Sequence, residues 1–183
     1  MKIIFVRHGA TASNKLGRIM SRSNDEPLSE EGLSEVVRVA SSNFPNLEYD
    51  MVFASPLKRA SQTAREFAKL RDLSVSHHDG VLEREFGALS NKTWDEVNQI
   101  TEGGLNHSIW NTSTGFDFSP YGGETEEETR ARIQDFINHL TTNHSNSRPL
   151  VVTHGGVLRT LYALYPDHKI KGFGNVSIHE FEV

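Results

Sequence analysis

Two arginines and two histidines stand directly after, or within five residues of, short apolar segments of the sequence: Arg7, His8, Arg59 and His154. The forked donors of a guanidinium group match the oxygens of a phosphate. An imidazole ring can attack phosphorus and carry the phosphoryl group. If the apolar segments are neighbouring strands, the four side chains converge, and their types predict a site for an anion, most simply a phosphate.

Glycines accompany both histidines. Gly9 follows His8, and Gly155 and Gly156 follow His154. Because glycine has no side chain, the backbone at these positions can approach a ligand closely, and Gly155 is a predicted phosphate contact. Helices that begin near residues 56 and 156 would also direct the positive ends of their dipoles toward the same place.

The elements that must position these residues follow from the alternation of apolar segments with helical periodicity. Strands are predicted at residues 3–6, 51–54, 73–77, 150–153 and 175–182. Predicted helix starts include the cap residues Ser29 and Thr125 and the pair Ser55-Pro56. We therefore expect an α/β fold, a three-layer α/β/α sandwich whose mostly parallel central sheet carries helices on both faces. Ligands of such sheets bind beyond the carboxyl ends of the strands.

The composition excludes several classes of function. A length of 183 residues suits one domain, 1–183, and the absence of cysteine excludes disulfides, thiolate metal modules and a cysteine nucleophile. A net charge of −5 argues against a nucleic-acid partner or an anionic membrane surface. The first residues form no signal-peptide core and no segment has the length of a membrane span, so we expect a cytoplasmic protein without a membrane partner.

Residues 91–122 are rich in Asn, Ser, Thr and Gly, with one predicted helix that carries Trp94, and we interpret them as a lid or insertion. Aromatic residues of this lid could line a substrate pocket or form a small satellite core, and the sequence leaves both open. Lys92 is the one permanently charged basic residue between positions 88 and 128. This scarcity of charge favours a substrate with an apolar or neutral leaving group.

Six ordered blocks that span nearly the whole chain resemble the histidine phosphatase superfamily, also called the phosphoglycerate mutase-like family. They occupy residues 7–11 with Asn14, 27–32, 55–64, 82–87, 122–125 and 151–156. The resemblance implies that the phosphoryl oxygens are held by Arg7, Asn14, Arg59 and His154. It also implies that His8 is the nucleophile, that Glu83 is the general acid, and that neither a metal nor another cofactor takes part. Glu85 is an alternative candidate for the general acid, but the spacing between Glu83 and Gly87 within the block favours Glu83.

The resemblance implies a metal-independent phosphatase that hydrolyses a small phosphorylated metabolite through a phosphohistidine. One alternative is phosphotransfer like that of a cofactor-dependent phosphoglycerate mutase, because the block around Arg84 is similar to the mutase pattern. The short chain and weakly charged lid favour the phosphatase. A non-catalytic phosphate or phosphoprotein binder would not need both His8 and Glu83. The chain departs from a common family pattern at Ala10 and at residues 89–91, and these differences bear on the substrate preference. The sequence does not predict the oligomeric state.

Overall fold

The computed structural model describes residues 1–112 and 116–183, and its centre is a five-stranded sheet. The strands are β1 Lys2–Arg7, β2 Met51–Ala54, β3 Val75–His77, β4 Pro149–Thr153 and β5 Ile178–Glu182. Their spatial order is β3-β2-β4-β1-β5, and every neighbouring pair is parallel except β1 with β5. The prediction of a mostly parallel sheet is confirmed, with an antiparallel strand at one edge.

Helices cover both faces of this sheet. The α-helices in the described part of the chain are α1 Ala12–Lys15, α2 Glu30–Asn43, α3 Lys58–Lys69, α4 Trp94–Ile100, α5 His107–Thr112, α6 Glu126–Asn143 and α7 Gly155–Leu164. Apolar residues of α2 and α3 pack on one face of the sheet, and those of α6 and α7 pack on the other. This arrangement confirms the expected three-layer α/β/α sandwich, the fold that the resemblance implies.

The alternation of side chains along β1 explains why its segment is apolar throughout. Ile4 and Val6 pack in the core on the α2–α3 side, whereas Ile3 and Phe5 pack in the core on the α6–α7 side. Successive side chains of a strand point to opposite faces, so a strand with helices on both sides needs apolar residues at every position. The central strand β4 is likewise buried along its whole length.

Helix α3 begins two residues later than the sequence predicted. Its first residue is Lys58 rather than Pro56, and the preceding Leu57 is extended and gives no side-chain cap. The backbone amide of Lys58 instead donates to the carboxylate of Asp25 at 2.7 Å, so a distant loop supplies the cap. This start places Arg59 in the first turn of the helix, at the positive end of its dipole.

The region between residues 91 and 122 contains more helix than predicted, because α5 accompanies the expected α4. Phe118, Val97 and Leu105 are buried together with Leu89 and Phe86 in a satellite core. That residues 1–183 form one domain with 91–122 as its lid stays a prediction. No helix among the described residues is long and apolar enough to cross a membrane.

Candidate active site

The carboxyl ends of β1 and β4 bring the two candidate histidines together. The strands are parallel neighbours with Arg7 opposite Thr153, and the amide of His8 donates to the carbonyl of Thr153 at 2.9 Å. The rings of His8 and His154 consequently lie 5.1 Å apart, centroid to centroid. Strand β2 lies on the other side of β4 and leads into α3, which carries Arg59. The convergence expected from the strand ends is therefore present.

His8 is held in the state that a nucleophile requires. Its ring is buried, and Nδ1 lies 2.7 Å from the carbonyl oxygen of Gly9. Because a carbonyl can only accept, Nδ1 must carry the proton, which leaves the lone pair of the ring on Nε2. Burial lowers the pKa of His8 well below its ordinary value, and the positive charges of Arg59 and Arg7 lower it further. The imidazole is neutral at physiological pH.

Both arginines are anchored by backbone carbonyls. Arg59 donates from Nη1 to the carbonyl of Asn24 at 2.6 Å and from Nη2 to that of Ser21 at 3.2 Å. Arg7 donates from Nη1 to the carbonyl of Phe173. Burial lowers the pKa of each guanidinium, and the negative charge of Glu83 partly opposes this. The groups are fixed cations rather than solvated surface charges.

Several buried donors of this site find no acceptor in the part of the protein that the structure describes. They are Nε of Arg7, Nε of Arg59 and one ring nitrogen of His154. Both nitrogens of His154 are without a partner there, but burial lowers the pKa of this ring well below its ordinary value, so the neutral imidazole donates from only one of them. Buried polar groups in proteins are nearly always hydrogen-bonded, so donors grouped in this way need an acceptor from outside the chain. The tetrahedral oxygens of a phosphoryl group offer several acceptors at once, and hydrogen bonds to their negative charge are stronger than those to a neutral acceptor.

Glu83 lies at the N-terminus of α7. Its Oε1 accepts from the amides of Arg84 at 2.8 Å and Gly156 at 3.1 Å, and Oε2 lies 3.2 Å from the amide of Gly156. The side chain is buried and lines the same cleft as His8. Glu85, its competitor in the sequence, instead accepts from the hydroxyls of Ser23 and Ser90. The geometry favours Glu83 as the acid.

The position of Glu83 gives a prediction for Gly156, whose replacement by alanine would place Cβ 2.3 Å from Oε1 of Glu83. The carboxylate must move, and a misplacement of about 1 Å can reduce a rate by roughly 10²-fold. We expect Gly156→Ala to reduce kcat by about that factor in a steady-state assay. Gly174→Ala is the matched control, because a Cβ there meets nothing within 4 Å. An unchanged kcat in Gly156→Ala would contradict the placement of Glu83.

Asn14 lies on the wall of the cleft together with a second amide that the sequence did not suggest. The side-chain nitrogen of Asn175 donates to Oδ1 of Asn14 at 3.3 Å and to the carbonyl of His8 at 3.0 Å. Asn175 precedes β5, which reaches the site only because it pairs with β1 in the antiparallel direction. No local motif marks this residue, so only the strand order could have identified it.

The cleft has a volume of about 560 Å³ and a mixed lining. Phe86, Trp94 and Trp110 contribute aromatic surface, whereas Lys15 and Arg18 contribute positive charge. Of the lid aromatics, Trp110 lines this cleft and Phe118 is buried in the satellite core, so the two alternatives do not exclude each other. The two cations belong to the segment after β1. The count of basic residues between positions 88 and 128 therefore did not include them. This weakens the hypothesis of a neutral leaving group.

No group of three or more His, Cys, Asp or Glu side chains in residues 1–112 and 116–183 could hold a metal ion. The adjacent pair His77 and His78 lies at the end of β3, with His77 exposed. His78 accepts from the amide of Gly80 through Nδ1 and packs against Phe136.

The family model "Histidine phosphatase superfamily (branch 1)" matches residues 3–183. The chain belongs to this superfamily. A metal-independent phosphoserine phosphatase of Arabidopsis thaliana is 32% identical over 88% of this chain and 67% of its own length. A phosphoglycerate mutase-like protein of the same plant is 30% identical over 100% of this chain and 79% of its own length.

Among solved structures, a phosphoserine phosphatase from Entamoeba histolytica in complex with 3-phosphoglyceric acid has a TM-score of 0.75 and 26% identity. The match covers 99% of this chain and 90% of that one. These similarities confirm the predicted class, a histidine phosphatase, and disfavour the mutase. Arg84, whose block is similar to the mutase pattern, is buried and pairs with Glu126 at 2.9 Å instead of lining the cleft.

Proposed function

We propose that this histidine phosphatase hydrolyses a small phosphomonoester whose leaving group carries a carboxylate, with His8 as nucleophile and Glu83 as general acid. One observation carries the proposal. A neutral His8 with its lone pair on Nε2 lies beside a group of buried donors that have no acceptor among the described residues. A neutral imidazole can attack phosphorus only where the charge of the phosphoryl oxygens is offset, and these donors supply that offset.

The first chemical step is the attack of Nε2 of His8 on phosphorus. A bond forms between nitrogen and phosphorus as the bond from phosphorus to the leaving oxygen breaks, and Glu83 delivers a proton to that oxygen. Arg7, Arg59 and His154 stabilise the charge spread over the three equatorial oxygens of the transition state. The products of this step are an alcohol and a phosphohistidine.

The second step returns the enzyme to its starting state. Glu83, now a carboxylate, takes a proton from a water molecule that attacks the phosphohistidine. The nitrogen–phosphorus bond breaks, His8 becomes neutral again and inorganic phosphate leaves. The backbone amides of Arg84 and Gly156 hold the carboxylate in place through both steps.

The carboxylate of the substrate is inferred from the cations of the cleft. Lys15 pairs with Glu31 at 2.6 Å, whereas Arg18 donates to the carbonyl of Asn91 at 2.7 Å and forms a longer ion pair with Glu96, at 3.8 Å. Arg18 can therefore bind an anionic group of the substrate. Phosphoserine, the compound named for two of the similar proteins, carries such a carboxylate.

A pair of substrates tests this proposal, because O-phosphoserine and phosphoethanolamine differ only in the carboxylate. We expect kcat/KM to be on the order of tenfold higher for phosphoserine, the size of one charge-assisted hydrogen bond. Arg18→Met should remove most of this preference, whereas Arg65→Met, at an exposed position of α3, should keep it. Activity should persist in the presence of a chelator.

An equal or higher kcat/KM for phosphoethanolamine would overturn the inferred carboxylate. Absence of turnover with every monoester would overturn the catalytic assignment and favour a phosphate-binding protein.

A further inference from the structure

Arg159 on α7 is buried and stacks between two aromatic rings, although the mechanism above gives it no role. Its guanidinium carbon lies 3.9 Å from the ring centroid of Trp110 and 4.1 Å from that of Phe173. Nε donates to the carbonyl of Trp110 at 2.7 Å, and Nη1 donates to the carbonyl of Gly155 at 2.9 Å. One side chain thus joins α5, the segment before β5 and the N-terminus of α7.

These contacts require an arginine. A planar guanidinium can lie against an aromatic face while its edge donates in two fixed directions, which the single ammonium of lysine cannot do. Burial and the nearby charge of Arg7 lower the pKa of Arg159 to about 9, so the group is still charged at neutral pH. A buried charge that is retained in this way must be compensated by its surroundings, and the two rings and two carbonyls do so.

Helix α5 depends on such contacts for its position. It spans only His107–Thr112, and isolated helices of this length are unstable in water. The carbonyl of Trp110 belongs to the last described turn of this helix. Arg159 supplies a donor and a positive charge at the negative end of the helix dipole. Trp110 lines the cleft that also contains His8 and Arg18.

We propose that Arg159 is a positioning residue that fixes Trp110 as the wall against which the leaving group of the substrate packs. The inference rests on the proposed function only in taking the cleft as the substrate site. It predicts that loss of Arg159 weakens the contact with the leaving group but does not change the binding of the phosphoryl group.

A double-mutant cycle with p-nitrophenyl phosphate tests the inference. We expect Arg159→Lys, which keeps the charge but loses the stacking, to raise KM by about 3- to 30-fold with little change in kcat. Trp110→Leu should raise KM similarly. If Arg159 acts through Trp110, the double variant should be no more than about twofold worse than Trp110→Leu alone. Additive effects would overturn the inference.

Inhibition by inorganic phosphate separates this role from a direct role in the phosphoryl pocket. The inhibition constant of phosphate should be unchanged in Arg159→Lys, because the proposed wall at Trp110 acts on the leaving group, which inorganic phosphate lacks. A parallel increase in KM and in this constant would show that Arg159 acts through Arg7 and would overturn the inference. Arg65→Lys serves as the surface control and should change neither constant.

Tryptophan emission tests the contact without any turnover. The chain has two tryptophans, Trp94 and Trp110, and both line the cleft. Arg159→Lys should shift the emission of the free protein, whereas Arg65→Lys should not. A shift together with no hydrolysis of any monoester would contradict the proposed function and support the Arg159 contact. An unchanged emission in an active Arg159→Lys enzyme would contradict the Arg159 contact and leave the proposed function supported.

Discussion

Replacement of His8 by alanine is expected to reduce kcat by roughly 10⁴-fold or more, because the group that forms the covalent intermediate is lost. The remaining donors can still bind the phosphoryl group, so KM should change much less than kcat. Steady-state hydrolysis of p-nitrophenyl phosphate measures both quantities. The assay must resolve residual activity, since the arginines alone can stabilise a slow attack by water.

His77→Ala provides the matched control, because His77 is an exposed histidine at the end of β3, where its Nε2 contacts only the hydroxyl of Ser61. It should retain full activity. A His8→Ala protein that keeps more than about a tenth of wild-type kcat would contradict the assignment of the nucleophile. Retained inhibition by inorganic phosphate in His8→Ala would show that the pocket is still formed.

Glu83→Gln is expected to have the second large effect, and its size should depend on the leaving group. Alkoxides are poor leaving groups and need the proton that Glu83 delivers, so kcat/KM for O-phosphoserine should fall by about 10²–10⁴-fold. Nitrophenolate leaves without help, so kcat/KM for p-nitrophenyl phosphate should fall by roughly tenfold at most. Glutamine keeps an oxygen that can accept from the amides of Arg84 and Gly156.

Glu85→Gln is the control for Glu83, because the sequence places the two carboxylates two residues apart and the structure separates them. Glu85 accepts from Ser23 and Ser90 away from the cleft, so its replacement should affect both substrates equally and weakly. A loss that depends on the leaving group in Glu85→Gln, or an equal loss on both substrates in Glu83→Gln, would reassign the general acid.

The sheet and its converging residues could be predicted from sequence because they depend on local signals. Each strand that carries a site residue is an apolar run bounded by polar residues, and parallel strands between helices place their carboxyl ends at one edge of the sheet. His8 and His154 each directly follow the last residue of their strand. They lie close together because β1 and β4 are parallel neighbours.

The features that escaped prediction depend on contacts between distant segments. Asp25 caps Lys58 from another loop, and therefore the start of α3 could not be read from Ser55 and Pro56. Asn175 reaches His8 only through the antiparallel pairing of β5. Arg159 belongs to a helix with strong apolar periodicity, where nothing local indicates that a buried charge would contact Trp110.

The charge of the substrate cleft shows the same limit. A count of basic residues within the lid predicted a weakly charged pocket, because the count assumed that the lid forms the wall alone. The structure adds Arg18 and Lys15 from the segment after β1. Net charge was similarly uninformative about the site, since −5 over the whole chain coexists with Arg7 and Arg59 grouped beside His8.

The covalent intermediate on His8 is the central claim, and rapid quenching followed by mass spectrometry tests it most directly. The enzyme is mixed with excess O-phosphoserine, denatured under alkaline conditions that preserve phosphohistidine, digested and analysed. We predict that one phosphoryl group is attached to the peptide that contains His8, that brief acid treatment removes it, and that His8→Ala lacks it. A phosphoryl group on another residue, or none during active turnover, would contradict the account.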